Sequence, residues 1–508
     1  MFAKAKSLGI FGMDSFSVVV EADLSSGLPR FDIVGLPDAA VKESRERVRA
    51  SLKNCRFEFP VSRITVNIAP ADVKKEGPVY DLPIAVAILK ATGQLKADIR
   101  EYAFVGELSL DGEIRGCNGI LPMLLKAREE HIGAVFIPFE NRSEASVVNG
   151  IDVYPVKNIP EILMHLSGER FIEPCYKNIE NLKAEYELLD FEDVKGQKNA
   201  KRALEIAAAG GHNCIMIGPP GTGKSMLAKR IPSILPDMTF DEQLETTKLY
   251  SIAGELKNGI QLIAKRPFRS PHHTISPQGF AGGGHNLRPG ELSLAHNGVL
   301  FMDEFPEFDR RAKEALRQPL EDGKITITRT AGSVSYPSNL MVMAAMNPCP
   351  CGYYGHPSRE CTCTEAARKR YRDRVSGPVL DRIDIHIEVE PVDYEKLSSR
   401  CKEESSAEMK KRVERARAVQ RKRFEGTDIS CNAKMSPKFT KECCVLTQEA
   451  SALLKISFDK LGMSARAYDK ILRIARTIAD LEESESIELA HVAEAIQYRS
   501  LDRKYWGE

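Results

Sequence analysis

The sequence predicts an α/β chain that ends in an all-helical segment, and three observations carry that prediction. Short β-branched runs alternate with amphipathic stretches over the first 168 residues. A four-residue apolar run, Cys214-Ile215-Met216-Ile217, empties into the glycine-rich loop GPPGTGKS at 218–225. Beyond residue 394 the strand signal nearly vanishes and charged, helix-period segments take over.

At 508 residues the chain is longer than the ~250–300 residues at which a single core stops growing, so several domains are expected. In the first, 1–168, SVVVEADL (17–24), RITVNIAP (63–70) and AVFIP (134–138) read as strands. Between them VKESRERVRASLKN (41–54) places Val41, Ser44, Val48, Ser51 and Leu52 on one helical face. Residues 169–190 are polar and weakly periodic, as a linker would be. A core domain is expected over 191–393 and a helical C-terminal domain over 394–508, closing with SARAYDKILRIARTIADL and IELAHVAEAIQYRSL.

Composition narrows the function less than the motifs do. Hydrophobic residues make up 43% and charged residues 28% of the chain, an ordinary balance for a globular protein. No apolar stretch approaches the ~20 residues of a membrane span. The opening MFAKAKSLGIFGMDSF lacks the apolar core and cleavage site of a signal peptide. The expectation is a cytoplasmic protein without membrane contact. With 72 basic and 71 acidic residues the net charge is +1, so an anionic partner has to be held by a local patch.

The loop at 218–225 carries the first chemistry. Gly218, Gly221 and Gly223 let the backbone turn its N–H groups toward a phosphate, with Pro219, Pro220 and Thr222 completing the cradle. Lys224 is expected on the β/γ-phosphates and Ser225 on Mg²⁺. GVLFMDE (298–304) reads as a buried strand ending in two carboxylates. Asp303 is placed to hold the Mg²⁺ shell, and Glu304 to orient or deprotonate the attacking water. A third strand, LMVMAAMN (340–347), presents Asn347 to that water or to the γ-phosphate. The cofactors expected are ATP and Mg²⁺.

These pieces resemble the AAA+ superfamily, and the resemblance implies further roles. DVKGQ (193–197) is similar to its adenine-contacting segment. Arg382, in SGPVLDRID, matches the arginine that a neighbouring subunit inserts beside ATP, with Arg374 as a second candidate; Arg466, in GMSARAY, matches the second sensor on the lid. A finger supplied in trans implies a ring, expected to be a homo-hexamer.

The core also holds RPFRSPHHTISPQGFAGGGHNLRPGELSLAHNG (266–298) and KITITRTAGSVSYP (324–337), the latter a β-hairpin by its alternation. Two such insertions resemble the magnesium-chelatase and minichromosome-maintenance helicase branch. Arg329 then stands where those helicases present a lysine to DNA; read alone, it is equally an exposed hairpin cation. His272 and His273 could suggest a metal, but adjacent histidines on a strand would face opposite ways, and a loop role in pore or interface is expected instead.

The stretches 66–95 and 104–127 are similar to the protease domain of Lon, which implies a ribosomal-S5-like α/β fold. Where Lon carries its serine and lysine this chain has Val79 and Leu121. Neither can attack a carbonyl or accept a proton, which excludes peptide hydrolysis by that dyad. A Lon-like domain, a chelatase-like AAA+ core and a helical lid, in that order, resemble the YifB/ComM family of magnesium-chelatase-like ATPases over essentially the whole chain. The resemblance implies a ring motor driven by ATP and acting on single- and double-stranded DNA, with branch migration during natural transformation as its associated task. The alternative is a chaperone-like remodeller of a protein partner, as in the magnesium-chelatase motor.

Three features stay open on sequence alone. Cys349, Cys351, Cys361 and Cys363 form a C-x-C, nine-residue, C-x-C pattern that fits four thiolates around a structural Zn²⁺, free thiols in a loop, or redox disulfides. The basic runs ARKRYRDR (367–374) and MKKRVERARAVQRKRF (409–424) fit either a phosphate-tracking surface or a solvated helix face.

Overall fold

The computed structural model describes residues 1–175, 189–257, 259–284, 287–329, 332–392 and 402–506. Most of the expected linker at 169–190, and the expected boundary at 393/394, lie outside the described residues.

The N-terminal part is built on a seven-stranded sheet. Its strands are β1 (Phe2–Phe11), β2 (Asp14–Ser25), β3 (Arg30–Val34), β4 (Arg63–Ala69), β5 (Tyr102–Phe104), β6 (Ala134–Pro138) and β7 (Asp152–Val156). They lie in the order β3-β4-β2-β1-β5-β6-β7. β1 and β2 form an antiparallel hairpin from Phe2↔Asp23 to Phe11↔Asp14, turning at Gly12 with φ of +64°. The helix Ala39–Asn54 buries Val41, Ser44, Val48, Ser51 and Leu52, the face its periodicity predicts, and Asp38 caps it by accepting from the Val41 N–H at 2.8 Å. The helix Asp81–Ala91 is apolar nearly all round; it is accordingly buried, against β1 and β2.

The second sheet has five parallel strands: β8 (Cys214–Ile217), β9 (Phe268–Arg269), β10 (Val299–Met302), β13 (Met341–Met346) and β14 (Ile385–Glu388), in the order β9-β10-β13-β8-β14. Helices cover both faces, so β8, β10 and β13 read as unbroken apolar runs rather than alternating ones. β11 (Lys324–Arg329) and β12 (Gly332–Pro337) form the predicted hairpin outside this sheet, in register from Lys324↔Pro337 to Arg329↔Gly332. The C-terminal helices Ser406–Arg423, Ala465–Leu481 and Leu489–Trp506 follow, and the first two pack on the core helix Lys198–Gly210.

The two sheets meet at a bonded seam. Gly119 N–H donates to the Ser251 carbonyl at 3.0 Å, and Ser251 Oγ donates to the buried Glu144 carboxylate at 2.6 Å. The β1–β2 turn lies against β12: a Cβ on Gly12 would fall 2.3 Å from Val334 Cγ1, and one on Gly332 2.9 Å from Phe11 Cζ. Among the described residues no helix is long and apolar enough to cross a membrane.

Candidate nucleotide site

Parallel pairing puts the carboxyl ends of β8, β10 and β13 on one edge, where open α/β sheets bind ligands. In register, Ile217 pairs with Met346 and Met302 with Ala344. The residues that follow (Gly218, Asp303 and Asn347) therefore leave the sheet side by side.

The glycines of the loop meet demands that other residues would not. A Cβ on Gly218 would lie 2.2 Å from the Val389 carbonyl oxygen, and Gly221 and Gly223 hold φ of +81° and +88°. The helix Lys224–Ala228 starts at once behind them. Lys224 Nζ donates to the carbonyls of Gly218 (2.7 Å) and Pro219 (2.8 Å) and to Asn347 Oδ1 (3.2 Å). Thr222 Oγ1 closes the loop on the Pro219 carbonyl at 3.0 Å. Burial brings the Lys224 ammonium down to about 8, against the opposing pull of Asp303. Such a group gains most from an anion beside it. Ser225 Oγ donates to Asp303 Oδ2 at 2.6 Å, so a hydroxyl and a carboxylate oxygen converge beside the loop. That is a hard-oxygen set suited to Mg²⁺.

Glu304 adopts φ of +52°, outside the strand, and its side chain is 60% exposed. His273 Nδ1 sits 3.1 Å from Glu304 Oε2. His272 and His273 lie in a turn, with ring centroids 4.2 Å apart, as the loop setting expected for them requires; the contact with Glu304 has no local signal in the sequence.

The remaining expected residues are not gathered here. Arg382 lies against Glu321 and the Pro378 carbonyl, its side chain only 10% exposed. The next two residues anchor this segment to the C-terminal helices: Lys470 Nζ donates to the Ile383 carbonyl at 3.1 Å and pairs with Asp384 at 2.8 Å. Arg374 Nη1 bonds both carboxylate oxygens of Glu307, at 2.6 and 2.7 Å. Arg466, in the first turn of Ala465–Leu481, is exposed and has no hydrogen bond or ion pair among the described residues. Arg329, at the outer end of β11, is likewise exposed and unpaired among them.

The four cysteines come together. Their Sγ atoms all lie within 4.8 Å of one another, with Cys349, Cys351 and Cys361 mutually 3.4–3.6 Å apart. These separations exceed the ~2.05 Å of a disulfide bond. They approach the ~3.8 Å edge of a tetrahedron with ~2.3 Å Zn–S bonds. The group can hold a metal ion.

Two other expectations also have an outcome in the fold. Of the run 409–424, Lys410 pairs with Asp237, Arg412 with Glu205 and Glu404, Arg415 with Glu483 and Arg423 with Asp480. Four of the run's eight basic residues therefore pair with carboxylates of the chain, while Lys411, Arg421 and Lys422 stay exposed. At the Lon-like positions Val79 and Leu121 are both buried. A cavity of about 270 Å³ beside Gly77, Pro78 and Val79 contains Cys117, whose thiol burial pushes up to about 12.

Comparison with known proteins decides the family. A competence protein, ComM, of Haemophilus influenzae is 40% identical over 497 residues, 97% of this chain and 96% of its own. The chain belongs to the YifB/ComM family of magnesium-chelatase-like AAA+ ATPases. An uncharacterized YifB of Escherichia coli is 41% identical over 97% of this chain and 96% of its own. A Lon protease of Mycolicibacterium smegmatis is 26% identical over 172 residues, 31% of this chain and 22% of its own. The family models "Magnesium chelatase, subunit ChlI", "Subunit ChlI of Mg-chelatase" and "Magnesium chelatase, subunit ChlI C-terminal" match residues 190–397, 20–141 and 403–499. The family implies ATP and Mg²⁺ as ligands, and the oxygen set and glycine cradle fit them.

Proposed function

We propose that this chain is an ATP-hydrolysing ring motor that moves DNA, with branch migration in recombination or transformation as its task. One observation carries the reading: a phosphate-loop site with its oxygen set assembled occurs in the same core as an exposed arginine, Arg329, at the turn end of β11 and unpaired among the described residues. The match to a protein named for competence, along nearly the whole chain, points the same way.

In this reading Gly218 to Ser225 hold the triphosphate and Lys224 exchanges its loop carbonyls for β/γ-oxygens. Ser225 and Asp303 would hold Mg²⁺, which would supply charge neutralisation to those phosphates. Glu304 orients the water, Asn347 faces the γ-phosphate, and Arg466 closes the lid over the nucleotide. Arg382 leaves Glu321 to reach the site of the adjacent protomer, in a homo-hexamer. Arg329 tracks phosphates without reading bases. The cysteine group holds Zn²⁺ structurally, since four protein thiolates leave no position for water. The protein works in the cytoplasm.

A salt series tests it. ATP turnover should rise with single- or double-stranded DNA, and the stimulation should vanish in Arg329→Ala and fade as salt is raised. Turnover indifferent to DNA, with no salt-dependent binding, would support the remodeller of a protein partner instead.

A further inference from the structure

The cysteine group is built into the wall of the nucleotide site. Cys349 stands two residues after Asn347, and the Gly352 N–H turns back onto the Cys349 carbonyl at 3.0 Å. Gly352, at φ of +85°, packs on Pro220 of the phosphate loop; a Cβ there would lie 2.6 Å from Pro220 Cδ and 3.1 Å from Cγ. No larger residue fits without moving one loop or the other. On the far side, the Cys351 N–H donates to Cys363 Sγ at 3.3 Å. Thr364 then caps the helix Glu365–Arg372, whose buried Tyr371 interacts with the Asn347 backbone. The chain thus runs from Asn347 through two cysteines, under Pro220, through two more cysteines, and back to Asn347.

We propose that this metal-loaded loop is a strut of the nucleotide site: by holding Gly352 beneath Pro220 and Asn347 opposite Lys224, bound Zn²⁺ raises the affinity for ATP. The inference rests on the zinc reading above. Without a central ion, the four close thiols keep only the Cys351 N–H to Cys363 Sγ bond and the Arg359–Tyr353 contact to close the 349–363 loop. Pro220 then loses its floor, and Asn347 one of its two tethers. Because linkage is reciprocal, nucleotide must tighten zinc by the same factor by which zinc tightens nucleotide. A loop uncoupled from the nucleotide site would give a factor of one in both directions. Gly352, Cys349, Cys351, Cys361 and Cys363 are positioning residues, acting through Pro220 and Asn347.

The test uses the full-length protein and a fluorescent, non-hydrolysable ATP analogue. Zinc is quantified per chain, the analogue is titrated before and after chelation, and zinc loss to a chelator is followed with and without the analogue. The expected result is one zinc per chain and an equal change in both directions, within the roughly 5–150-fold range of such couplings. Gly352→Ala keeps all four thiols and should keep its zinc while binding the analogue several-fold more weakly; it guards against Cys361→Ser simply misfolding. If no zinc is found and none binds on titration, the zinc reading falls and the strut with it. If zinc is present but analogue affinity ignores its removal, zinc loss ignores the analogue, and Gly352→Ala binds normally, the strut is wrong while the zinc site stands.

Discussion

Ser225 and Asp303 are 78 residues apart in sequence and 2.6 Å apart in space, the serine Oγ donating to the aspartate Oδ2. One leaves the phosphate loop and the other the end of β10, so the pair exists only because the strands between them are parallel and in register. Asp303→Asn preserves the shape and removes the charge. The Mg²⁺ concentration for half-maximal turnover should rise at least about tenfold, the equivalent of ~1.4 kcal/mol. A magnesium titration of steady-state hydrolysis measures it.

Glu304 and His273 should separate by their effects on rate. Glu304→Gln removes a water-activating carboxylate, and turnover should fall by about 10²–10⁴ while nucleotide stays bound. His273→Ala leaves that carboxylate and removes only its neighbour at 3.1 Å. It should lower kcat by about tenfold or less and hardly move KM. Equal losses in the two variants would make His273 a direct participant.

Lys224 gives the site a pH dependence whose sign follows from its environment. Burial lowers the ammonium to about 8 in the free protein, and phosphate oxygens beside it favour the charged form. Nucleotide binding should therefore take up about 0.5–1 proton at pH 8.5, and affinity should fall as pH rises through 8 and above. Calorimetry in buffers of different ionisation enthalpy reads the proton directly. Lys224→Arg, charged throughout, should take up none.

Asp384 ties the finger segment to the C-terminal helices. Burial pushes its carboxyl up, but Lys470 and His212 outweigh that and hold it well below the usual carboxylate range. Asp384→Asn leaves Lys470 buried opposite no charge, which should cost about 3–5 kcal/mol. A depressed carboxyl contributes its stability above the unfolded pKa of ~3.9 and loses it as pH falls toward the folded value. The gap in Tm between wild type and variant should be constant from pH 7 to 5 and should narrow below about pH 4. Thermal unfolding across that range checks both size and sign.

What was legible in the sequence was what is local or repeated in a fixed order. The face of Ala39–Asn54, the hairpin at 324–337 and the loop at 218–225 each announce themselves within a short window, and Asp303 and Asn347 stand at the ends of unbroken apolar runs. The rest depends on chain segments that sequence spacing does not bring together. Asp237, Glu205, Glu483 and Asp480, all remote in sequence, pair with Lys410, Arg412, Arg415 and Arg423, half of the cations in the run 409–424, and no local pattern announces those partners. His273 reaches Glu304 through a turn that joins two segments distant in sequence, which no local pattern announces. Gly352 could be read as a turn glycine, but its contact with Pro220 needed the fold.

The account as a whole turns on whether each nucleotide site is completed by the next protomer. Subunits carrying Lys224→Ala lack a working cradle, and subunits carrying Arg382→Ala lack the arginine lent to the neighbour; each assembly alone should hydrolyse ATP about 10³-fold or more below wild type. Mixed in equal amounts and allowed to exchange, the two should recover a substantial share of the lost turnover, because an intact cradle now faces an intact arginine at some interfaces. If Arg382→Ala alone turns over normally, or the mixture stays as inactive as its parts, the shared site does not exist.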